Sequence, residues 1–302
     1  MAAIFILLGM LSAFPAHTWQ HLASEHFTLS YNERTAHLAE EALQVAEEIH
    51  AQLRPLWGEK FFKEKISIAL FDDEDDSNGG AYYYQSFIQI LCRRTPFLWR
   101  GETPWLRTVL SHELSHIYSL RGLGFPMTFS LSAGYVSSKN KVASGVNVGF
   151  QHNDLPVWFS EALAQYGSRE FKADMRDAWR EMLLRDAYLH GKLLSLAQMS
   201  RFEGTSREYE LAYNQGFDFL IFLTQKGGLK TLAGFNESIL KYGFEEGVRL
   251  VLGKKLPDLF GEWQASLAGR YASFIAASRL SGARPERVFL NREGPFVWET
   301  WR

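Results

Sequence analysis

Residues 105–120 read WLRTVLSHELSHIYSL, a run that neither Pro nor Gly interrupts. Trp105, Leu106, Val109, Leu110, Leu114 and Ile117 recur at helical spacing and give the segment an apolar packing face. His112 and His116 stand four apart, so on a helix both imidazoles leave from one face and can reach one metal ion. For zinc the bonds would measure about 2.0–2.1 Å. Glu113 stands between them, where its carboxylate can take a proton from water instead of ligating. In a chain of 302 residues with 9 His and 34 acidic residues, composition alone yields a His-acid-x-x-His pattern about 0.03 times. A third ligand therefore decides whether this helix holds a metal, because a catalytic zinc takes three protein ligands and keeps one position open.

Upstream of that helix the patterning is mixed. Glu25 to Tyr31 (EHFTLSY) alternates and predicts a strand. Thr35 to Leu53 predicts a helix, with Leu38, Ala42, Val45, Ala46, Ile49 and Leu53 inward and Glu40, Glu41, Glu47 and Glu48 outward. Lys65 to Phe71 (KISIALF) predicts a second strand, and Ala81 to Leu91 (AYYYQSFIQIL) a further strand or hairpin. The acidic run Asp72 to Asp76 lacks the ligand spacing of a calcium loop and reads as a solvated turn. Downstream of Pro104 the period is mostly helical, with helices expected near 105–120, 156–168, 174–190, 208–226, 228–242 and 257–277. Only 120–156, rich in Gly and Ser, lacks that period. The expected class is α+β: a small mixed α/β part, then a mostly helical part.

The third ligand is sought in Pro156 to Tyr166, which reads PVWFSEALAQY. Here the chain resembles the gluzincin zinc metallopeptidases, the thermolysin-like and aminopeptidase-like enzymes, and especially the peptidase-MA-like domains. Their second motif looks like P-x-W-(F/L)-x-E-(G/A)-x-A-x-Y, matched at Pro156, Trp158, Phe159, Glu161, Ala162, Ala164 and Tyr166. The resemblance spans roughly residues 18–280 and implies a zinc ion held by His112, His116 and Glu161. The other reading of Glu161 is an exposed carboxylate favoured by the start of its helix. The small residue after the glutamate is Ala162 here, and the gap from His116 is longer than in the aminopeptidase branch. Where the thermolysin pattern has an aspartate four residues after the glutamate, this chain has Gln165.

The same resemblance assigns further parts, with Asn78-Gly79-Gly80-Ala81 as a loop before the edge strand. Phe87 to Leu91, with Phe87, Gln89 and Leu91 as substrate-binding residues, would be an edge strand beside the active-site helix that pairs with substrate backbone. An ordinary sheet edge is the alternative. Tyr209 to Leu223 (YELAYNQGFDFLIFL) is similar to a later helix whose tyrosine donates to the oxyanion, which singles out Tyr213 as a catalytic residue. Tyr209, Tyr213, Phe217 and Leu220 also form a plain core stripe. His152 lies just before the second motif, and His21, His26, His37, His50 and His190 show no ligand spacing.

The implied activity is hydrolysis of peptide bonds in a peptide or protein substrate, with Glu113 as general base. No G-x-M-E-N stretch is present, which points to an endopeptidase. The rivals are a zinc-binding module without turnover, and a membrane-proximal interaction module. Residues 124–149, with Phe125, Met127, Phe129 and Tyr135 among Gly and Ser, read as a substrate lid or as a peripheral membrane contact.

Composition sets the outer limits. Lys plus Arg at 32 against Asp plus Glu at 34 lacks the basic surplus that nucleic-acid binding requires. One cysteine, Cys92, excludes an intramolecular disulfide and a thiolate-built zinc site. Ala2 to Phe14 is an uncharged apolar run followed by Pro15. It reads as a signal peptide over 1–17, with export to a periplasmic or extracellular location, or as a membrane anchor. The expected organisation is 18–122 for the N-terminal α/β subdomain, 123–155 for an insertion or lid, 156–280 for the helical subdomain and 281–302 for an extended tail. The tail is similar to the opening of a further β domain.

Overall fold

The computed structural model describes residues 18–57, 64–72, 77–83, 85–92, 105–122, 129–136, 143–150, 155–169, 178–201, 205–228, 230–281, 287–289 and 299–301. The fold is α+β, a five-stranded mixed sheet with helices followed by a run of helices. The chain divides into two units, one of residues 1–153 and 160–175, the other of 154–159 and 176–302.

In the first unit, β1 (Gln20–Ala23) pairs antiparallel with β2 (Phe27–Tyr31). From β2 the chain runs through α1 (Ala36–Trp57) and returns parallel as β3 (Ile66–Phe71). The crossover helix forms because Ala39, Ala42, Val45, Ala46, Ile49 and Leu53 are buried at a three-to-four spacing. Its start is tied by Asn32, whose Oδ1 accepts from the Arg34 amide at 2.9 Å. β4 (Ser77–Tyr82) and β5 (Phe87–Cys92) then form an antiparallel hairpin, with β5 inserted against β3. The sheet order is β1-β2-β3-β5-β4. Leu29, Ile66, Ile68, Ile88 and Ile90 are fully or nearly fully buried, and Ile68 pairs with Ile88 in the register. The helix α2 (Trp105–Gly122) packs on α1 and on β4.

The strand expected over 25–31 gains a partner in β1, and the strand or hairpin expected over 81–91 is a hairpin that starts earlier, at Ser77. The segment without helical period contains β6 (Phe129–Val136) paired antiparallel with β7 (Ala143–Phe150). Phe125, Met127, His152 and Asp73 to Asp76 lie outside the described residues.

The helix α3 (Val157–Ser168) carries the second motif. After it come α4 (Ala178–Leu189), α5 (Leu196–Arg201), α6 (Ser206–Gly227), α7 (Lys230–Tyr242) and α8 (Phe244–Leu252). The helix expected over 257–277 is two, α9 (Leu256–Arg270) and α10 (Ala272–Ser281), divided at Tyr271. A short pair, β8 (Arg287–Phe289) with β9 (Glu299–Trp301), accounts for the described part of the tail. In the second unit Trp158, Phe219, Phe235 and Trp263 are fully or nearly fully buried. Asp218 on α6 is buried and accepts from Trp263 Nε1 at 2.7 Å and from Arg270 at 2.8 Å. That pairing satisfies a charge which burial alone would make costly.

Among the described residues no helix is long and apolar enough to cross a membrane. This corrects the expected export with membrane association through the N-terminal apolar run. The run itself lies outside the described residues.

Candidate metal centre

The site is built on α2. His112 and His116, one turn apart, place their ring centroids 4.8 Å from each other. His116 is buried and His112 half-buried, with Leu110, Leu114, Ile117 and Tyr118 fully buried along the rest of the helix. Ser111 and Ser115 are small enough to sit in this packed segment, their hydroxyls donating to Thr108 O at 2.9 Å and Ser111 O at 2.7 Å.

The helix α3 supplies the third group. Glu161 Oε2 lies 3.1 Å from His112 Nε2 and 3.3 Å from His116 Nε2. The three potential ligand atoms all fall within 4.8 Å of one another. Burial raises the Glu161 pKa, but the His116 charge and hydrogen bonds from both imidazoles outweigh it and hold the carboxyl well below its usual range. The close approach that brings α3 here depends on Gly167. A Cβ at that position would stand 2.4 Å from Ser115 Oγ and 2.8 Å from Ser115 Cβ.

The donor set fits zinc. In a tetrahedral site with bonds of about 2.0–2.1 Å, neighbouring ligand atoms lie about 3.3 Å apart, close to the two His–Glu separations here. Two nitrogens and one carboxylate oxygen are ligands that zinc accepts, and three leave one position open. Glu113 is buried at 6% exposure, faces β4 and stands outside the three-residue cluster. Gln165, one turn after Glu161, is fully buried and finds no hydrogen-bond partner for either side-chain atom among the described residues, and His116 Nδ1 likewise finds none there.

The other expected site residues fall as follows. Phe87, Gln89 and Leu91 lie half-buried on β5, which is not an edge: it pairs with β3 on one side and β4 on the other. The edge is corrected to β4 among the described residues, because the hairpin folds the earlier strand outward. A backbone hydrogen-bonded on both sides has no row of groups left for an added strand. Tyr213 is on α6 in the second unit and is half-buried. Asn78-Gly79-Gly80-Ala81, expected as a loop before the edge strand, lies within the edge strand β4 itself, and Gly167 carried no sequence signal beyond its missing Cβ.

No protein-family model matches the chain, and no curated protein matches it. Among solved structures the chain is similar to a mutant two-domain M1 zinc metallopeptidase bound to L-tryptophan, at 14% identity and a TM-score of 0.42. It is also similar to a mutant M1 zinc metallopeptidase from Deinococcus radiodurans bound to a Tyr-Ser-Ala substrate, at 15% identity and a TM-score of 0.39. Each match covers 81% of this chain and 50% of the other, so the chain spans about half the length of these structures.

Proposed function

We propose that the chain is a zinc-dependent metallopeptidase that hydrolyses internal peptide bonds. The convergence of His112, His116 and Glu161 on one point, with Glu113 buried alongside, carries this reading. When bound, zinc polarises a carbonyl and acidifies water. His112 and His116 hold it from one helix face, and Glu161 adds a negative oxygen from a second helix. Glu113, free of the ligand set, takes the proton from the attacking water and returns it to the leaving amine. Tyr213 is our assignment for the donor that stabilises the oxyanion.

Glu113→Gln tests this. The variant keeps the shape of the side chain and the three ligands, so zinc binds at one equivalent, read by metal analysis and by anomalous scattering at the zinc edge. Cleavage of a peptide library falls about 1,000-fold. A variant that cleaves at the parental rate refutes the mechanism. A parental protein that binds zinc but cleaves nothing is instead a metal-binding module.

A further inference from the structure

The edge strand β4 lies against α2, and the contact is closest at one glycine. A Cβ built on Gly79 would stand 2.6 Å from Glu113 Cγ, 2.8 Å from Glu113 Oε1 and 2.7 Å from Val109 Cγ1. Real Cβ atoms do not approach so closely, so the site admits hydrogen and nothing larger. Val109 and Glu113 are one helical turn apart. The Gly79 Cα therefore sits over the gap between two successive side chains of α2.

The backbone conformation does not explain this glycine. Positive φ occurs among the described glycines at Gly191, Gly228, Gly243 and Gly253, and not at Gly79. The neighbour Gly80 provides the contrast: a Cβ there would meet only Tyr82 Cε2, at 3.8 Å. Two consecutive glycines on one strand thus differ in their surroundings, one pressed on the Glu113 side chain and the other with room for a methyl group at ordinary contact distance. The strand is fixed in turn. Gly79 pairs with Ile90 of β5, and its amide donates to Asn78 Oδ1 at 2.9 Å.

We propose that Gly79 is a positioning residue for Glu113: with no Cβ, the backbone of β4 closes directly on the Glu113 side chain and fixes the direction of its carboxylate. The proposal rests on the reading of Glu113 as general base. An added methyl group has two ways to gain room. Moving α2 disturbs its packing on α1, so the Glu113 side chain turns about its own bonds instead. The carboxylate swings away, and the zinc ligands stay where they are.

Gly79→Ala and Gly80→Ala, each in the full chain, test this by steady-state cleavage, metal analysis and thermal melting. For Gly79→Ala we expect kcat to fall about 100-fold with KM within about threefold and zinc still at one equivalent. Gly80→Ala stays within about twofold of the parental kcat. Gly79→Ala also lowers Tm by roughly 5 °C, and that shift shrinks by at least half when Glu113→Ala is already present, because two of the three crowded atoms are gone and only Val109 Cγ1 remains. The proposal fails if Gly79→Ala keeps its kcat, loses its zinc, or costs the same Tm with and without Glu113. Should Gly79→Ala not fold, the Gly79→Ala/Glu113→Ala double variant is expected to fold, and its failure to do so overturns the proposal. A parental protein that cleaves nothing sinks the peptidase reading instead, while the Tm comparison still shows whether Gly79 seats Glu113.

Discussion

Tyr213 is the residue whose two readings the structure brings into contrast. A core stripe of Tyr209, Tyr213, Phe217 and Leu220 would be buried from end to end. Instead Tyr209 is 41% exposed, Tyr213 is half-buried, and only Phe217 and Leu220 are buried, at 5% and 0%. The neighbours Ala212, Asn214 and Gln215 are all more buried than Tyr213. The apolar row therefore descends into the core along α6, and Tyr213 lies on its less buried stretch. Tyr213→Phe removes that hydroxyl and leaves the ring. If the hydroxyl donates to an oxyanion, kcat falls about 100-fold while Tm stays within a degree or two. A loss of Tm with kcat unchanged returns Tyr213 to the core.

Two helices make the metal centre, and their spacing is set by what is missing between them. With Gly167 against Ser115 and the Ala164 side chain fully buried beside it, α3 lies close enough for Glu161 to reach both histidines. Gly167→Ala pushes a methyl group into Ser115, which we expect to destabilise the fold by about 1–3 kcal/mol. It should also weaken zinc about tenfold in a chelator competition, since α3 carries Glu161 outward with it. Ser115→Gly reopens the space and restores most of the affinity; zinc binding untouched by Gly167→Ala would separate the helix spacing from the ligand set. This element scale is also where the sequence was most and least readable. The His112–His116 helix and the Glu161 helix were legible because their signals are local, residues three or four apart on one face. The order of the strands was not, since β5 takes an interior place by pairing with β3 while the intervening strand β4 goes to the edge, and alternation within a strand carries no record of its neighbours. The break between α9 and α10 was missed because Tyr271 is buried and fits the apolar period on either side. Gly167 stayed silent, and Gly79 showed only as part of a loop, for a related reason. A glycine's meaning lies in the atom opposite, and that atom belongs to another element.

On the scale of the molecule, a separate acid sensitivity should come from a cluster that no motif announced. His50 on α1 is buried, stacks on His26 at a ring separation of 3.8 Å and hydrogen-bonds the Tyr118 hydroxyl. Burial lowers its pKa, and the like charge of His26 lowers it further, with Arg54 in the same direction and Glu47 and Glu25 opposed. The unfolded chain takes up this proton near the ordinary value of about 6.5, before the folded chain does. Below that pH the unfolded state binds more protons, so stability is complete above the unfolded pKa and falls as pH falls, until folded His50 is protonated too. Glu47 acts in the same sense lower down. Burial raises its pKa, but hydrogen bonding from Ser24, then from the amide and ring of His26 with its ring nitrogen at 2.7 Å, and the His26 charge prevail and hold it below its ordinary value. Protonating Glu47 therefore removes further stability as pH drops below about 4.5. Hydrogen exchange of the α1 amides reads this free energy in the first unit alone. Protection should fall between pH 7 and 5 with a slope of at most about 1.4 kcal/mol per pH unit from one proton. His50→Gln should flatten that window and leave the second fall below pH 4.5 in place. If His50→Gln keeps the parental slope between pH 7 and 5, the proton that destabilises the fold binds elsewhere.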